Sequence, residues 1–458
     1  MTVATDLAAF ASSTSWEQIP DDARRALSRL VLDTLGCAVG AMGSDGPVRK
    51  VRAMVDELGG APTATLIGGG RTSPDRAALC NGAAARYLDF NDTFLAAREA
   101  CHPSDSLAPV LAATEHAGGD GRTLLTALAT AYQVHCRLTD RAPVRAQGFD
   151  HTTQGVYGVA AGVARALGLD AERTANAVCI AGTPFNALRV TRTGQLSNWK
   201  GLAFPMAASN GTQAAFLAAH GVTGPAEVFE GAKGFMDAIS GPFEVDWAAE
   251  PLDVVTQVLV KRYNAEVHSQ SAIEGILALQ AEHGFDASEV ERVDVEAFDA
   301  CFNIIGGGDE GDKHDVRSKE AADHSLPYIL AVALLDGGVM PPQYLPGRLF
   351  ADDVQGLLRR VHVTEAADLT ERYPDEMPVR LEVTLTDGRR LSREQADYEG
   401  FPTQPMAWET VVAKFRGLAE PVAGPAICDA LVEAVAGLAE ADSVAGITEP
   451  LSQVATNR

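Results

Sequence analysis

The 458-residue chain has no C-x-x-C pair, and its seven cysteines (37, 80, 101, 136, 179, 301 and 428) are nowhere closer than 21 residues. That spacing offers neither a zinc knuckle nor the usual iron–sulfur pattern, and an odd set of scattered thiols fits a reducing compartment. No lysine is followed by Ser or Thr, which removes the P-loop, and neither G-x-S-x-G nor H-E-x-x-H occurs. Gly306 to Gly311 satisfies G-x-G-x-x-G as a string. Its Asp309 and Glu310 would face a pyrophosphate and no apolar helix follows, so it reads as a loop. Basic residues are scarce as well: 37 Lys+Arg against 61 Asp+Glu give a formal charge of −24. Nucleic acid and anionic membrane are poor partners for such a chain, and an anionic substrate must find a local positive pocket. The longest apolar run, Tyr328–Leu335, falls far short of the roughly 18 residues of a membrane span. The N-terminal stretch lacks a basic n-region, so a soluble, cytoplasmic protein is expected.

What is present is mostly helical grammar. Pro20-Asp21-Asp22 opens a segment whose apolar Leu27, Leu30, Val31, Leu35 and Ala38 follow helical spacing, with acids at the positive end of the dipole. Ser73-Pro74-Asp75 repeats that start before 77–88, and further helices are predicted over 121–138, 156–167, 171–181 and 205–220. These stretches are rich in Ala and Gly, which lets helix axes approach closely. After about residue 253 the pattern changes. Val254–Val260 is β-branched, Val290–Ala297 alternates, Val361–Val363 is a short strand candidate, and Val379–Leu385 meets the hairpin turn Asp387-Gly388 before Arg390-Leu391. Helices are predicted among them at 270–282 and 321–336, and helical spacing returns at 408–418 and 426–439. The reading is a mainly α protein: an all-helical domain from both chain ends (1–260 and 401–458) and an inserted α+β lid domain (261–400).

Lysine is the rarest charged residue, with seven (50, 200, 233, 261, 313, 319, 414) against thirty arginines. Where arginine is the default cation, a lysine is more often needed as a compact, tunable ammonium. Lys200 ends Arg192-Thr-Gly-Gln-Leu-Ser-Asn-Trp-Lys, and Lys261 follows the β-branched run, seven residues before His268. His102 stands in Cys-His-Pro-Ser-Asp105 just after the acidic turn Asp89-Phe-Asn-Asp-Thr93. His151 precedes Thr-Thr-Gln-Gly155 at a predicted helix N-terminus, where the dipole lowers its pKa and favours an anion. His268 lies in Glu266-Val-His-Ser-Gln270 and His324 in Asp323-His-Ser-Leu-Pro-Tyr328. The other six histidines carry no comparable context. Cys101 beside His102 is a poor thiol–imidazole dyad, because sequence neighbours point their side chains apart. A mononuclear metal set of Asp89, Asp92 and His102 lacks paired ligand spacing.

Taken together, Asn81–Thr93, His102–Asp105, Arg192–Lys200, Ala265–Gln270 and Ala322–Gly337 resemble the motifs of the MmgE/PrpD family, in the family's order, over about residues 5–450. The resemblance implies an all-helical domain with an α+β lid, usually in a homodimer. It implies a metal- and cofactor-free enzyme acting on small di- or tricarboxylates next to a carboxylate. Members include 2-methylcitrate dehydratase, which serves propionate breakdown in the methylcitrate cycle, cis-aconitate decarboxylase and iminodisuccinate epimerase. Carried over by motif, Asp89, His102, His151, Lys200, Lys261 and Tyr328 are the expected catalytic residues, with Thr93 and His268 binding substrate at the interface of the two domains. The stretch after Lys261 departs from the decarboxylase pattern, whereas Glu266–Gln270 and His102–Asp105 look closer to the methylcitrate dehydratase branch.

The residue types suit elimination of water from a β-hydroxy carboxylate. That reaction must remove a weakly acidic C–H proton and protonate a poor leaving group. Lys200 and Lys261 would stabilise the enediolate-like charge, His102 and His151 would serve as base and acid with Asp89 orienting one of them, and Thr93 and Tyr328 would hydrogen-bond a carboxylate or the leaving hydroxyl. The expectation is a hydro-lyase on 2-methylcitrate or a related tricarboxylate such as citrate, with His102 as proton shuttle. The alternatives are the family's decarboxylase and epimerase reactions and a non-catalytic scaffold.

Overall fold

A computed structural model of the chain describes residues 2–44, 46–193 and 196–455. Helix accounts for 59% of it and the sheets are small, so the fold is mainly α, as the helical spacing predicts. In chain order the longer helices are α1 (Val3–Ser13), α2 (Asp21–Ala41), α3 (Pro47–Leu58), α4 (Pro74–Tyr87), α5 (Leu107–Ala117), α6 (Gly121–Arg141), α7 (Thr152–Ala166), α8 (Ala171–Gly182) and α9 (Ala203–Ala219). There follow α10 (Gln270–His283), α11 (Leu326–Asp336), α12 (Trp408–Ala423), α13 (Pro425–Ala436) and α14 (Ala445–Ser452). Strands β1 (Ala64–Thr65) and β2 (Arg71–Thr72) form one small ladder, β3 (Phe94–Leu95) and β4 (Ala100–Cys101) another. Strands β5 (Val290–Ala297), β6 (Val361–Glu365), β7 (Val379–Leu385) and β8 (Arg390–Gln395) make a four-stranded sheet in the order β6-β5-β7-β8.

The chain divides into two compact units. The first comprises the described residues up to Arg192, Asn198–Val260, and those from Ala407 onward; the second is built from Lys261–Met406. In the first unit α7 packs against α6, α8 and α9, α1 packs on α8, α4 on α9, α5 and α2, and α12 on α2. The α6–α7 contact depends on glycine: a Cβ on Gly158 would lie 2.9 Å from the Ala131 carbonyl oxygen, and one on Gly162 3.0 Å from that of Ala127. Local chemistry sets the helix starts. Asp120 accepts from the Thr123 amide at 2.7 Å, and Asp170 from that of Arg173 at 2.9 Å.

In the second unit β5 pairs parallel with β6 and antiparallel with β7, and β7 turns into β8 through Asp387-Gly388, where Gly388 takes φ +88°. Along β7 the side chains of Val379, Leu381, Val383 and Leu385 are buried and those between are half-buried. Helix α10 packs on β7 and β8, and α11, buried from Leu326 to Leu334, packs against α10 and β6.

Two expectations are corrected. Val254–Val260 is not a strand: Val254–Gln257 is a 3₁₀ turn packed against α2 and α6, and only Leu259 makes a bridge, with Thr93. A β-branched run needs a neighbouring strand, and helices surround this one. The helix predicted over 321–336 is broken after Ala322. Ser325 accepts from the Tyr328 amide as N-cap, and Pro327, lacking an N–H, sits where the first turn of α11 needs none.

Candidate active site

The first cluster lies in the first unit and starts at the end of α4. Asp89, just past the C-cap Leu88, takes φ +55°, a left-handed conformation that Asp tolerates better than most non-glycine residues. This aims its carboxylate between two cations. Arg86, in the last turn of α4, donates from Nη1 to Asp89 Oδ1 at 2.5 Å and to Asn91 Oδ1 at 3.1 Å. Lys200, on a 3₁₀ turn before α9, places Nζ 3.2 Å from Asp89 Oδ2. All three are buried, so the pairing is what lets the charges stay. Arg86 Nε also lies 3.6 Å from Asp105, whose carboxyl burial pushes up to about 6 in spite of that guanidinium. Gly194 and Gln195 of the Arg192–Lys200 motif lie outside the described residues.

The β3–β4 ladder pairs Phe94 with Cys101, so the flanking Thr93 and His102 come face to face, Thr93 Oγ1 3.3 Å from His102 Nδ1. His102 Nδ1 is also 2.7 Å from the Asp92 carbonyl oxygen. A carbonyl only accepts, so the neutral ring carries its proton on Nδ1 and its lone pair on Nε2. The Asp92 carboxylate is committed elsewhere: it accepts from the Ser104 amide, the Ser104 hydroxyl (2.6 Å) and the Tyr132 hydroxyl (2.9 Å). Burial nonetheless pushes Asp92 up to about 7. Cys101 is fully buried beside Cys136 and His135.

His151 is the N-cap residue of α7, and its ring stands edge-on to His102 with centroids 5.4 Å apart. Arg192 donates from Nε to Asp150 Oδ2 at 2.9 Å and places Nη2 3.1 Å from His151 Nε2. Burial opposes the charge on Asp150, and Arg192 overrides it, holding that carboxyl far below its usual range. His151 goes the other way. Burial, and then the Arg192 charge working against Asp150, keep it well below an ordinary histidine. A guanidinium has no lone pair to offer, so His151 Nε2 accepts and Nδ1 bears the hydrogen; Nδ1 has no hydrogen-bond partner among the described residues. The lowering expected at a helix N-terminus is in the direction found, and its causes are burial and Arg192. Behind it, buried His135 stacks on its ring at 6.2 Å.

The second unit holds Lys261 and His268. Lys261 is 1% exposed. His268 Nδ1 is 2.8 Å from Glu266 Oε1, its backbone amide donates to Glu266 Oε2, and its Nε2 lies 3.4 Å from the Tyr373 hydroxyl. Burial would raise Glu266, but His268 brings it down to about 2. Tyr373 stacks on Phe298 at 4.7 Å, which fixes the wall beside His268. Asp323 receives Lys319 Nζ at 2.7 Å and His324 Nδ1 at 2.6 Å. Tyr328 is placed differently: its hydroxyl donates to the Gln343 carbonyl at 2.5 Å, and its ring stacks on Tyr344.

Asp89, Thr93, His102, His151 and Lys200 are thus linked within the first unit, while Lys261 and His268 both act on Glu266 in the second unit and Tyr328 packs into that unit's core. Motif reading gave no role to Arg86, Asp150, Arg192 and Glu266, which pair with Asp89, Arg192, His151 and His268 respectively. Two left a local signal: Asp150 precedes His151 directly, and Glu266 stands two residues before His268.

Comparison with known proteins finds two family domains in succession along the chain. Sequence models of the MmgE/PrpD N-terminal and C-terminal domains match residues 5–248 and 263–439. The chain is 30% identical over 413 residues to 2-methylcitrate dehydratase of Cupriavidus necator, covering 82% of this chain and 81% of that protein. It is 29% identical over 401 residues to 2-methylcitrate dehydratase of Escherichia coli K12, covering 80% of each. Cis-aconitate decarboxylase of Mus musculus is 24% identical over 465 residues, 94% of this chain and 90% of that protein. These relatives are enzymes, and with both family domains matched in order the chain belongs to the MmgE/PrpD family.

Proposed function

We propose that the protein is a hydro-lyase that removes water from 2-methylcitrate or a related tricarboxylate, without a metal or organic cofactor. The observation that carries the reading is the Asp89–Lys200 pair, linked through Arg86, Asn91 and Ser104 to the turn that holds His102, whose tautomer presents Nε2 as base. His102 Nε2 takes the proton from the carbon next to a carboxylate. The electron pair of that C–H bond forms the alkene as the C–O bond breaks, and the imidazolium returns its proton to the departing hydroxide, giving water. Lys200 stabilises the negative charge that builds on the carboxylate, and Asp89 with Arg86 holds the ammonium in place without travelling in the reaction. His151 stays neutral and donates from Nδ1 to a substrate oxygen, so it orients rather than titrates. Thr93 steadies the His102 ring. Lys261 and His268 keep the parts that the family pattern assigns them, charge stabilisation and substrate binding. Tyr328, whose hydroxyl is held by Gln343, supports the second unit's core. The reading places the protein in the cytoplasm as a homodimer, which analytical ultracentrifugation tests.

The deciding experiment is incubation with citrate, 2-methylcitrate, cis-aconitate and iminodisuccinate in deuterated water, followed by NMR. An alkene product from a hydroxy-tricarboxylate, with activity that survives EDTA, is expected. Release of CO₂ from cis-aconitate alone, or proton exchange without elimination, would replace the dehydratase reading with the decarboxylase or epimerase one.

A further inference from the structure

Helix α12, from the far end of the sequence, lies against α2 along a face formed by Asp33, Gly36 and Gly40, residues three and four apart that share one side of a helix. The approach is close: a Cβ on Gly36 would come 3.1 Å from Phe415 Cα, and one on Gly40 3.1 Å from the Leu418 carbonyl oxygen. Into this contact α12 inserts Lys414, whose Nζ lies 2.6 Å from Asp33 Oδ1. Both side chains are buried. A buried ion pair contributes little that an apolar pair of the same volume would not, so its retention asks for another reason. The same ammonium supplies one. It donates to the Phe90 carbonyl at 2.9 Å and sits 3.8 Å from the centre of the Phe90 ring. Phe90 is the residue immediately after Asp89, whose left-handed φ of +55° the surrounding structure has to hold.

We infer that Lys414 is a positioning residue for the active site: it clamps the peptide after Asp89 and thereby sets the aim of the Asp89 carboxylate at Lys200 and the height of Thr93 beside His102. This rests on the function proposed above. Lys414 touches no reacting atom. Its fixed partners are Asp33 on α2, which holds the ammonium, and the Phe90 carbonyl, which the ammonium holds.

The test uses three variants of the full chain, each read by steady-state kinetics on 2-methylcitrate, by thermal unfolding and by hydrogen exchange at the amides of 88–93. Asp33→Asn leaves the ammonium on the Phe90 carbonyl and is expected to lose stability yet keep kcat within about twofold. Lys414→Met strands a buried carboxylate and is expected to lose both. The combined Asp33→Asn/Lys414→Met variant removes the stranded charge. It is expected to recover thermal stability while kcat stays about 10- to 100-fold down, the size of loss that an ångström-scale misplacement gives, with KM changed less and exchange at 88–93 accelerated. A combined variant with wild-type kcat and unchanged exchange would overturn the inference, as would an Asp33→Asn protein that loses kcat to the same degree. If the wild-type protein turns over no tricarboxylate, it is the functional reading that has failed, and exchange at 88–93 still decides the role of Lys414.

Discussion

Two buried glutamates, one in each unit, are nearly equally hidden from water, Glu99 at 6% and Glu266 at 8% exposure, and they titrate in opposite directions. Among the described residues, Glu99 receives neutral donors alone, the Val144 amide and the Gln154 side chain, both at 2.8 Å. Burial prevails and pushes it up to about 7. Glu266 faces the same penalty but has His268 at 2.8 Å, and it comes down to about 2. At equal burial, the charge of the partner decides whether a carboxyl is an anion in the folded protein. The same division runs through the first unit. Asp89 and Asp150 sit on Lys200, Arg86 and Arg192 and face the catalytic groups, whereas Asp92 and Glu99 sit on neutral donors and brace the turn and the loop around them.

The largest effect should follow from removing a cation that acts on substrate. Lys200→Met deletes the ammonium but leaves Asp89 on Arg86, so turnover of 2-methylcitrate should drop by about 10³-fold or more while thermal unfolding moves little. A loss of less than tenfold in steady-state kinetics would mean that Lys200 is structural, and that pairing with a cation does not mark the chemical groups.

Next comes a cation that only sets another group's charge. Arg192→Gln leaves Asp150 buried with Arg189 3.9 Å away, and should destabilise the protein by about 3 kcal/mol in urea titration. Combining it with Asp150→Asn should restore most of that stability, since the cost belongs to the stranded charge. If the combined variant is as unstable as Arg192→Gln alone, Asp150 was not the anion this comparison makes it.

How much of this was readable in the sequence follows the range over which each cause acts. Helix starts such as Pro20-Asp21-Asp22 and Ser73-Pro74-Asp75, and the Asp387-Gly388 hairpin, were legible because first-turn proline, acids at the dipole's positive end and turn chemistry act within four residues. The break at Ser325 was signalled by Pro327 two residues later, but the apolar run of α11 hid it. Val254–Val260 misled because β-branching reports burial as much as pairing. Motif positions singled out Asp89, His102, His151 and Lys200, which lie in one unit, but gave no partner for any of them. His151 is kept neutral by burial and by Arg192, 41 residues on, and the turn at Asp89 is held by Lys414, 324 residues beyond Phe90. No local pattern encodes such partners.

The glutamates themselves give a pair of pH tests of opposite sign. Glu99 keeps its proton to about 7 when folded and loses it near 4.5 when unfolded, so between those values the native state binds more protons. Its contribution is whole below pH 4.5 and is lost as pH rises to 7, by roughly 3 kcal/mol in total. Glu266 is the reverse: folded it ionises at about 2 and unfolded at 4.5, so its contribution is whole above pH 4.5 and is lost as pH falls toward 2, again by roughly 3 kcal/mol. Glu99→Gln should flatten the neutral side of the stability–pH curve, and Glu266→Gln the acid side, in denaturant titrations at stepped pH. Slopes of the same sign in the two variants would break the comparison.

The smallest effect belongs to an arginine with more carboxylates around it but with water present. Arg380, on β7, reaches Asp368, Glu296 and Glu394, with side chains 35% to 68% exposed, whereas Asp150 beneath Arg192 is fully buried. Solvent screens each of those contacts, and an exposed arginine gives up side-chain freedom to make them. Arg380→Ala should therefore shift the melting temperature by less than about 2 °C, and high salt should erase the difference between it and the wild type. The contrast with Arg192 turns on water, since Arg380 has more carboxylate partners and is still expected to matter less. If Arg380→Ala proved as costly as Arg192→Gln, and the cost persisted in salt, exclusion of water would no longer be what separates the charges that build the site from those that decorate the sheet.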